Sequence, residues 1–211
     1  MSGLQVKRLR RRVARLAGGG VVLDAGAGPG YTARELCRMG ARVVLLDPSK
    51  TMLNHAGRLL ESAGCSGRYR LLEGVFESIP LPDCSVDAAT ATFSLRDARD
   101  RRRAVEELAR VIRPGGKLVV LDIYRPSSLV ERLVVEAYLL LVPPLGAALT
   151  LCPRGIPLYL GLHKTVERME SRWGMELLLS EYFERAVSWR IMPGTAIWVA
   201  EGPRVGCSKG G

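Results

Sequence analysis

The chain has 211 residues, 47% of them hydrophobic and 25% charged, which is enough for one substantial core and reads as one domain that folds alone. Its five cysteines (Cys37, Cys65, Cys84, Cys152, Cys207) are odd in number, far apart and without a CxxC pair, which argues against a disulfide framework or a zinc site and for a reducing cytoplasm. The net charge of +10 is concentrated at Lys7, Arg8, Arg10, Arg11, Arg12 and Arg15, in an amino-terminal segment that lacks the apolar core of a signal peptide.

In chain order the basic segment comes first. Leu9, Val13 and Leu16 recur at helical spacing, so it reads either as a helix with a solvated cationic face or as a grip for anionic lipid or nucleic acid. "VVLD" follows as a first strand, Thr32 to Met39 as a helix, "RVVLLD" as a second strand and Met52 to Ser62 as the next helix. "RYRLLEG" reads as a third strand, "VDAATATF" as a fourth, "RRAVEELARVI" as a helix closed by the turn "RPGG", and "KLVVLDIY" as a fifth strand. Five βα units ending near residue 124 imply an α/β class, a parallel sheet with helices on both faces.

The last third differs. "SSLVERLVVEAYLLLVPPLGAALTL" is strongly apolar, but Glu136, Pro143 and Pro144 interrupt it short of the ~20 clean residues that a spanning helix needs. Its stretch Leu133 to Leu151 reads as ordinary core or as a greasy lid. A helix near Val166 to Tyr182 follows, then a hairpin of "AVSWRIM" and "TAIWVAE" joined at Pro193 and Gly194.

The stretch "VVLDAGAGPGYT" carries the chemistry. Gly26, Gly28 and Gly30 follow GxGxG, whereas the dinucleotide fingerprint needs its third glycine where this chain has Tyr31. Bare backbone in the turn lets a ligand lie close, and Asp47, closing the second strand, can accept both hydroxyls of a ribose. The glycine turn alone would fit a tight structural connection, and Asp47 alone a helix cap. Together, at neighbouring strand ends, they point to a nucleoside ligand.

These segments carry a resemblance. "VLDAGAGPG" resembles motif I of the class I S-adenosylmethionine-dependent methyltransferases, and "LLDPSKTML" resembles the segment that follows it. The resemblance implies S-adenosylmethionine as cofactor and S-adenosylhomocysteine as product. It places Gly26, Gly28 and Gly30 around the methionine portion, Asp47 at the ribose and Met52 against the adenine, with Asp24, Pro48 and Thr92 completing the cofactor site; the Phe76 backbone N–H is the candidate partner for the adenine ring. It also implies a Rossmann-like, doubly wound sheet of seven strands with an antiparallel terminal hairpin. The single domain, 1–211, then divides into a cofactor-binding core (18–126), a variable substrate lid (127–182) and the hairpin (183–202).

A narrower resemblance covers "EGVFESIPLPDCSVDAATATFSLRDARDRRRAVEELARVIRPGGKLVVLDIYRPS", which is similar to the ubiquinone and menaquinone biosynthesis C-methyltransferases. Phe93, Leu95 and Arg96 match their F-G-L-R-N strand exit, and "FER" at Phe183 to Arg185 matches as well. It implies C-methylation of a lipid-linked quinol, a lipophilic small-molecule substrate, and a cytoplasmic enzyme with peripheral membrane contact. The alternatives are O- or N-methylation of another small molecule, or a non-catalytic module that keeps the fold. This chain departs from the pattern at Val75, where the family has an aspartate, at Ser94 for glycine, and at Asp97 for asparagine.

A ring carbon becomes nucleophilic when its phenol loses a proton, so Arg96 is the candidate cation for the phenolate and Asp97 the candidate base acting through water. "RDARDRRR" also reads as an exposed charge run. Tyr124, at the end of the fifth strand, and His163, in the lid, are further candidates to face substrate, while His55 reads as a surface residue. The fourth strand lacks the N-P-P-Y exit of adenine methyltransferases, and no cysteine stands where a cytosine mechanism needs one, so a nucleic-acid substrate is not expected. No histidine and carboxylate cluster has metal-ligand spacing, and no metal is expected.

Overall fold

The computed structural model describes residues 3–135, 137 and 168–204. The described elements are α1 (Gly3–Ala17), β1 (Val21–Ala25), α2 (Tyr31–Arg38), β2 (Arg42–Asp47), α3 (Lys50–Ser62), β3 (Tyr69–Glu73), β4 (Val86–Thr92), a 3-10 turn at Leu95–Asp97, α4 (Arg101–Val111), β5 (Ile112–Ile123), α5 (Arg172–Tyr182), β6 (Phe183–Met192) and β7 (Thr195–Pro203). Residues 129–135 are helical as well. Three helices start at side-chain caps: Ser49 accepts from the Met52 N–H, Asp100 from the Arg103 N–H and Ser171 from the Gly174 N–H.

The seven strands form one sheet in the order β3-β2-β1-β4-β5-β7-β6. The first five pair in parallel, and β7 runs antiparallel between β5 and β6. This is the doubly wound, Rossmann-like sheet with its antiparallel terminal hairpin. Alternation along the strands divides the core in two. Leu118 and Val120 of β5 pack with α4 and α5, while Val119 and Leu121 pack with α1, α2 and α3. The resulting three layers leave both sheet faces covered, as central parallel strands require.

Three expectations are corrected. Residues 74–85, between β3 and β4, contain no helix, so the βα rhythm breaks there. The "RPGG" turn is part of β5: Gly115 takes a left-handed φ of 75°, and a Cβ on Gly116 would lie 2.6 Å from the Asp87 carbonyl oxygen. Two glycines thus let the chain stay paired with β4 across a register shift between Val86 and Ala88.

The third correction concerns cysteine. Cys37 and Cys65 form a disulfide although 28 positions separate them, because α2 and α3 lie side by side and bring the two Cα atoms to 6.1 Å. Cysteine spacing therefore no longer argues for a reducing compartment. No helix among the described residues is long and apolar enough to cross a membrane. His163, Cys152, Cys207 and all of the apolar stretch beyond residue 137 lie outside the described residues, as does most of the lid.

Candidate functional site

The chain winds outward from β1 to β2 and β3, then returns to place β4 and β5 on the other side of β1. Connections diverge at the carboxyl ends of β1 and β4, which opens a crevice there. A cavity of about 740 Å³ occupies it. The glycine turn, Asp47 and Pro48, residues 75–77, residues 92–94 and 96–99, and Arg10, Tyr31 and Thr32 line this cavity.

The three glycines differ in what they do. A Cβ on Gly26 would meet the Ser94 Cβ at 2.4 Å and the Phe76 ring at 3.1 Å, so this glycine seats the turn against the far wall. A Cβ on Gly28 would meet nothing within 4 Å, leaving bare backbone toward the cavity at φ 52°. Gly30 does not line the cavity; its Cβ would lie 2.8 Å from that of Ala56, so its hydrogen lets α2 pack against α3. Its φ of 81° also starts α2.

Two acids hold the turn. Asp47 accepts from the Gly28 N–H at 2.8 Å and from the Ser49 N–H at 2.9 Å, joining the β1 and β2 exits in one frame. Asp24 is fully buried and accepts from Thr90 Oγ1 at 2.8 Å and the Ala33 N–H at 3.0 Å. Burial pushes its carboxyl up to about 6 despite both hydrogen bonds. Thr92, at the end of β4, presents a buried Oγ1 with no hydrogen-bond partner on the same wall. A buried hydroxyl is rarely left unpaired, so this atom fits a ligand that takes its bond.

The opposite side is built on β5. Asp122, buried at its carboxyl end, accepts from Arg96 Nη1 at 3.2 Å, from the Arg96 backbone N–H at 3.1 Å and from the Ile123 N–H at 2.8 Å. Burial raises its carboxyl, and the Arg96 charge opposes that shift. Arg96 thereby lines the cavity in a fixed orientation, while Asp97 beside it has a side chain 69% exposed at the rim. Phe93 turns the β4 exit with a left-handed φ of 56°, uncommon for a bulky residue. Ser94 donates to the Ala25 carbonyl at 2.9 Å, and Glu77 accepts from the Arg99 and Asp100 N–H groups. The chain's departure at Ser94 is thus tied into the wall, whereas the Val75 side chain is exposed.

Of the residues expected at the site, Asp24, Gly26, Gly28, Asp47, Pro48, Phe76, Thr92, Arg96 and Asp97 line one cavity. Met52 does not line it; its backbone N–H completes the Ser49 cap. Tyr124 is corrected: its ring packs edge-on against Trp198 in the core, its hydroxyl donates to Glu131, and it does not reach the cavity. Burial pushes that phenol up to about 12. His55 is an exposed residue of α3. Arg10, Tyr31 and Asp122 were not expected. Asp122 had a signal, since "VVLD" ends two strands and the second copy reads like the first.

Residues 23–120 match a family model described as a methyltransferase domain. Over that span the chain is similar to methyltransferase domains. Its sequence is 32% identical over 133 residues to the ubiquinone/menaquinone biosynthesis C-methyltransferase of Francisella tularensis subsp. novicida, 61% of this chain and 53% of that protein. The chain therefore spans about half the length of the curated relatives it matches. Among solved structures it is similar to the YcgJ protein of Bacillus subtilis, with a TM-score of 0.62 at 24% identity over 90% of this chain and 71% of that one. A SAM-dependent methyltransferase from Aquifex aeolicus gives a TM-score of 0.59 at 20% identity over 97% of this chain and 100% of that one. Both structures share the fold of this chain.

Proposed function

We propose that this protein transfers a methyl group from S-adenosylmethionine to a ring carbon of a lipid-linked quinol or related phenol. The observation that carries the reading is the single cavity in which Gly28, Asp47 and Thr92 face Arg96, an arrangement that separates a nucleoside side from a cationic side. Asp47 accepts ribose hydroxyls, Gly28 presents bare backbone, Thr92 supplies its unspent hydroxyl, and the Phe76 backbone serves the adenine. The cofactor, when bound, supplies an electrophilic methyl group on a sulfonium. Such a displacement needs alignment and a dry site more than it needs a strong acid or base.

Arg96 stabilises the phenolate whose adjacent carbon is the nucleophile, and Asp122 keeps its guanidinium aimed. Asp97, at the rim, takes the phenol proton through water as the phenolate forms, and the ring proton leaves to solvent after the carbon–carbon bond has formed. The relatives named as quinone C-methyltransferases support a lipophilic acceptor. Incubating the full chain with methyl-labelled S-adenosylmethionine and lipid, nucleic-acid and small-molecule extracts tests the reading. Label in the quinone fraction is expected; label only in a water-soluble fraction replaces the acceptor, and no label in any fraction removes the activity.

A further inference from the structure

The sheet ends in two unequal edges. β3 closes one side with five residues, whereas β6 closes the other with ten, and among the described residues β6 pairs with β7 alone. A row of open N–H and C=O groups is a template for another strand, which proteins commonly block with prolines or very short edges. β6, "FERAVSWRIM", contains neither proline nor glycine and keeps one register with β7 from Phe183 to Arg190. It is long, regular and unblocked.

Its side chains alternate between the sheet faces. Ser188, which meets Glu176 and Arg172, marks the face carrying α5, so Glu184, Ala186 and Arg190 belong to that face. Val187 and Ile191 pack on the core beneath α1, so Arg185 and Trp189 belong to the other. Glu184, Arg185, Trp189 and Arg190 are exposed. Their ties within the chain are weak: Arg185 reaches Glu201 at 4.0 Å, Arg190 reaches Glu131 at 3.9 Å, and Glu184 has no hydrogen bond or ion pair with any described residue.

The order of these residues is complementary to itself. A two-fold axis normal to the sheet through Val187 sets two β6 strands antiparallel and brings residues equidistant from Val187 opposite each other on one face. Glu184 of each copy then faces Arg190 of the other, and Arg185 faces Trp189, a guanidinium against an indole. Ala186 faces Ser188, two small side chains. With the axis at Ala186, Glu184 meets Ser188 instead, and with the axis at Ser188 it meets Met192, so neither neighbouring register joins opposite charges. A strand from another protein would satisfy the main chain equally well, but only pairing with a copy makes use of a charge order that mirrors itself about Val187.

We propose that the protein forms a two-fold dimer by antiparallel pairing of β6 with a second copy, centred on Val187, so that two seven-stranded sheets become one continuous sheet. Glu184 and Arg190 do not line the cavity, and the pairing stands whatever the cavity binds.

Sedimentation equilibrium on the full chain tests the proposal, and the unaltered protein is expected to dimerise. Glu184→Arg and Arg190→Glu each set two like-charged pairs across the axis and should each weaken the dimer on the order of 10-fold or more. Mixed in equal amounts, the two variants should dimerise again, because the substituted positions then face each other with opposite charges and so do the untouched ones. The double variant Glu184→Arg/Arg190→Glu should dimerise with itself. Both positions are exposed, so these substitutions should spare the fold. A monomeric unaltered protein, or a dimer that neither single variant weakens, overturns the proposal. Failure of both the mixture and the double variant to dimerise overturns it as well.

Discussion

A Cβ placed on Gly26 would stand 2.4 Å from the Cβ of Ser94, and Ser94 donates its hydroxyl to Ala25, the residue before that glycine. The β1 and β4 exits are thus interlocked through Ser94. Gly26→Ala also meets a φ of 65°, a conformation that costs an alanine about 1–2 kcal/mol. Cofactor affinity should fall on the order of 10-fold or more in Gly26→Ala. Adding Ser94→Gly should recover part of it by removing the nearest atom; calorimetry on the single and double variants decides, and no recovery would mean that backbone strain alone is responsible.

Asp47 carries both the ribose assignment and the Gly28 hydrogen bond. Asp47→Ala should weaken S-adenosylhomocysteine on the order of 10-fold or more, since it removes a charge-assisted acceptor. An unchanged affinity would end the ribose assignment.

Arg96 and Asp122 are a buried pair, so their variants should separate chemistry from stability. Arg96→Ala leaves the Asp122 carboxylate buried without its cation, a change that typically costs about 3–5 kcal/mol. Asp122→Asn keeps the shape and the acceptor but loosens the guanidinium. It should lower kcat for the labelled acceptor while cofactor affinity stays within about twofold, a split that a purely structural role would not produce.

Asp24 makes stability depend on pH in a defined direction. Unfolded, its carboxyl titrates near 3.8; folded, burial raises it to about 6. Below 3.8 both states are protonated and Asp24 costs nothing. Between the two values the unfolded state loses its proton first, so stability should fall as pH rises and level off above about 6. The full effect is on the order of 3 kcal/mol for the ligand-free protein. Asp24→Asn should flatten this segment of the denaturation profile measured from pH 4 to 7, and a profile of unchanged slope would contradict the assignment.

The Cys37–Cys65 disulfide closes a loop with a sequence separation of 28. Loops of this size gain about 3–4 kcal/mol in the chain-entropy account. Denaturant unfolding of Cys37→Ala/Cys65→Ala should show that loss. Because the bond ties the carboxyl end of α2 to the segment after α3, away from the cavity, cofactor affinity should be preserved.

Much of this molecule was legible before its structure. The strands ending in Asp24 and Asp47, the glycine turn and the terminal hairpin depend on residues a few positions apart, so local backbone chemistry and a period of two reveal them. The glycine turn and Asp47 fall together because any parallel sheet brings neighbouring strand ends to one edge. Three features needed the fold. The disulfide required α2 and α3 to lie side by side, Asp122 required β5 to end beneath Arg96, and Arg10 required α1 to pack beside α2 so that one cation of six entered the cavity. Sequence by itself determined most of the strands and helices and the edge where the glycine turn and Asp47 meet, since those follow from neighbours along the chain. Only tertiary structure decided which distant side chains share that edge, because helix packing angles and burial are set by the whole core and have no local signature.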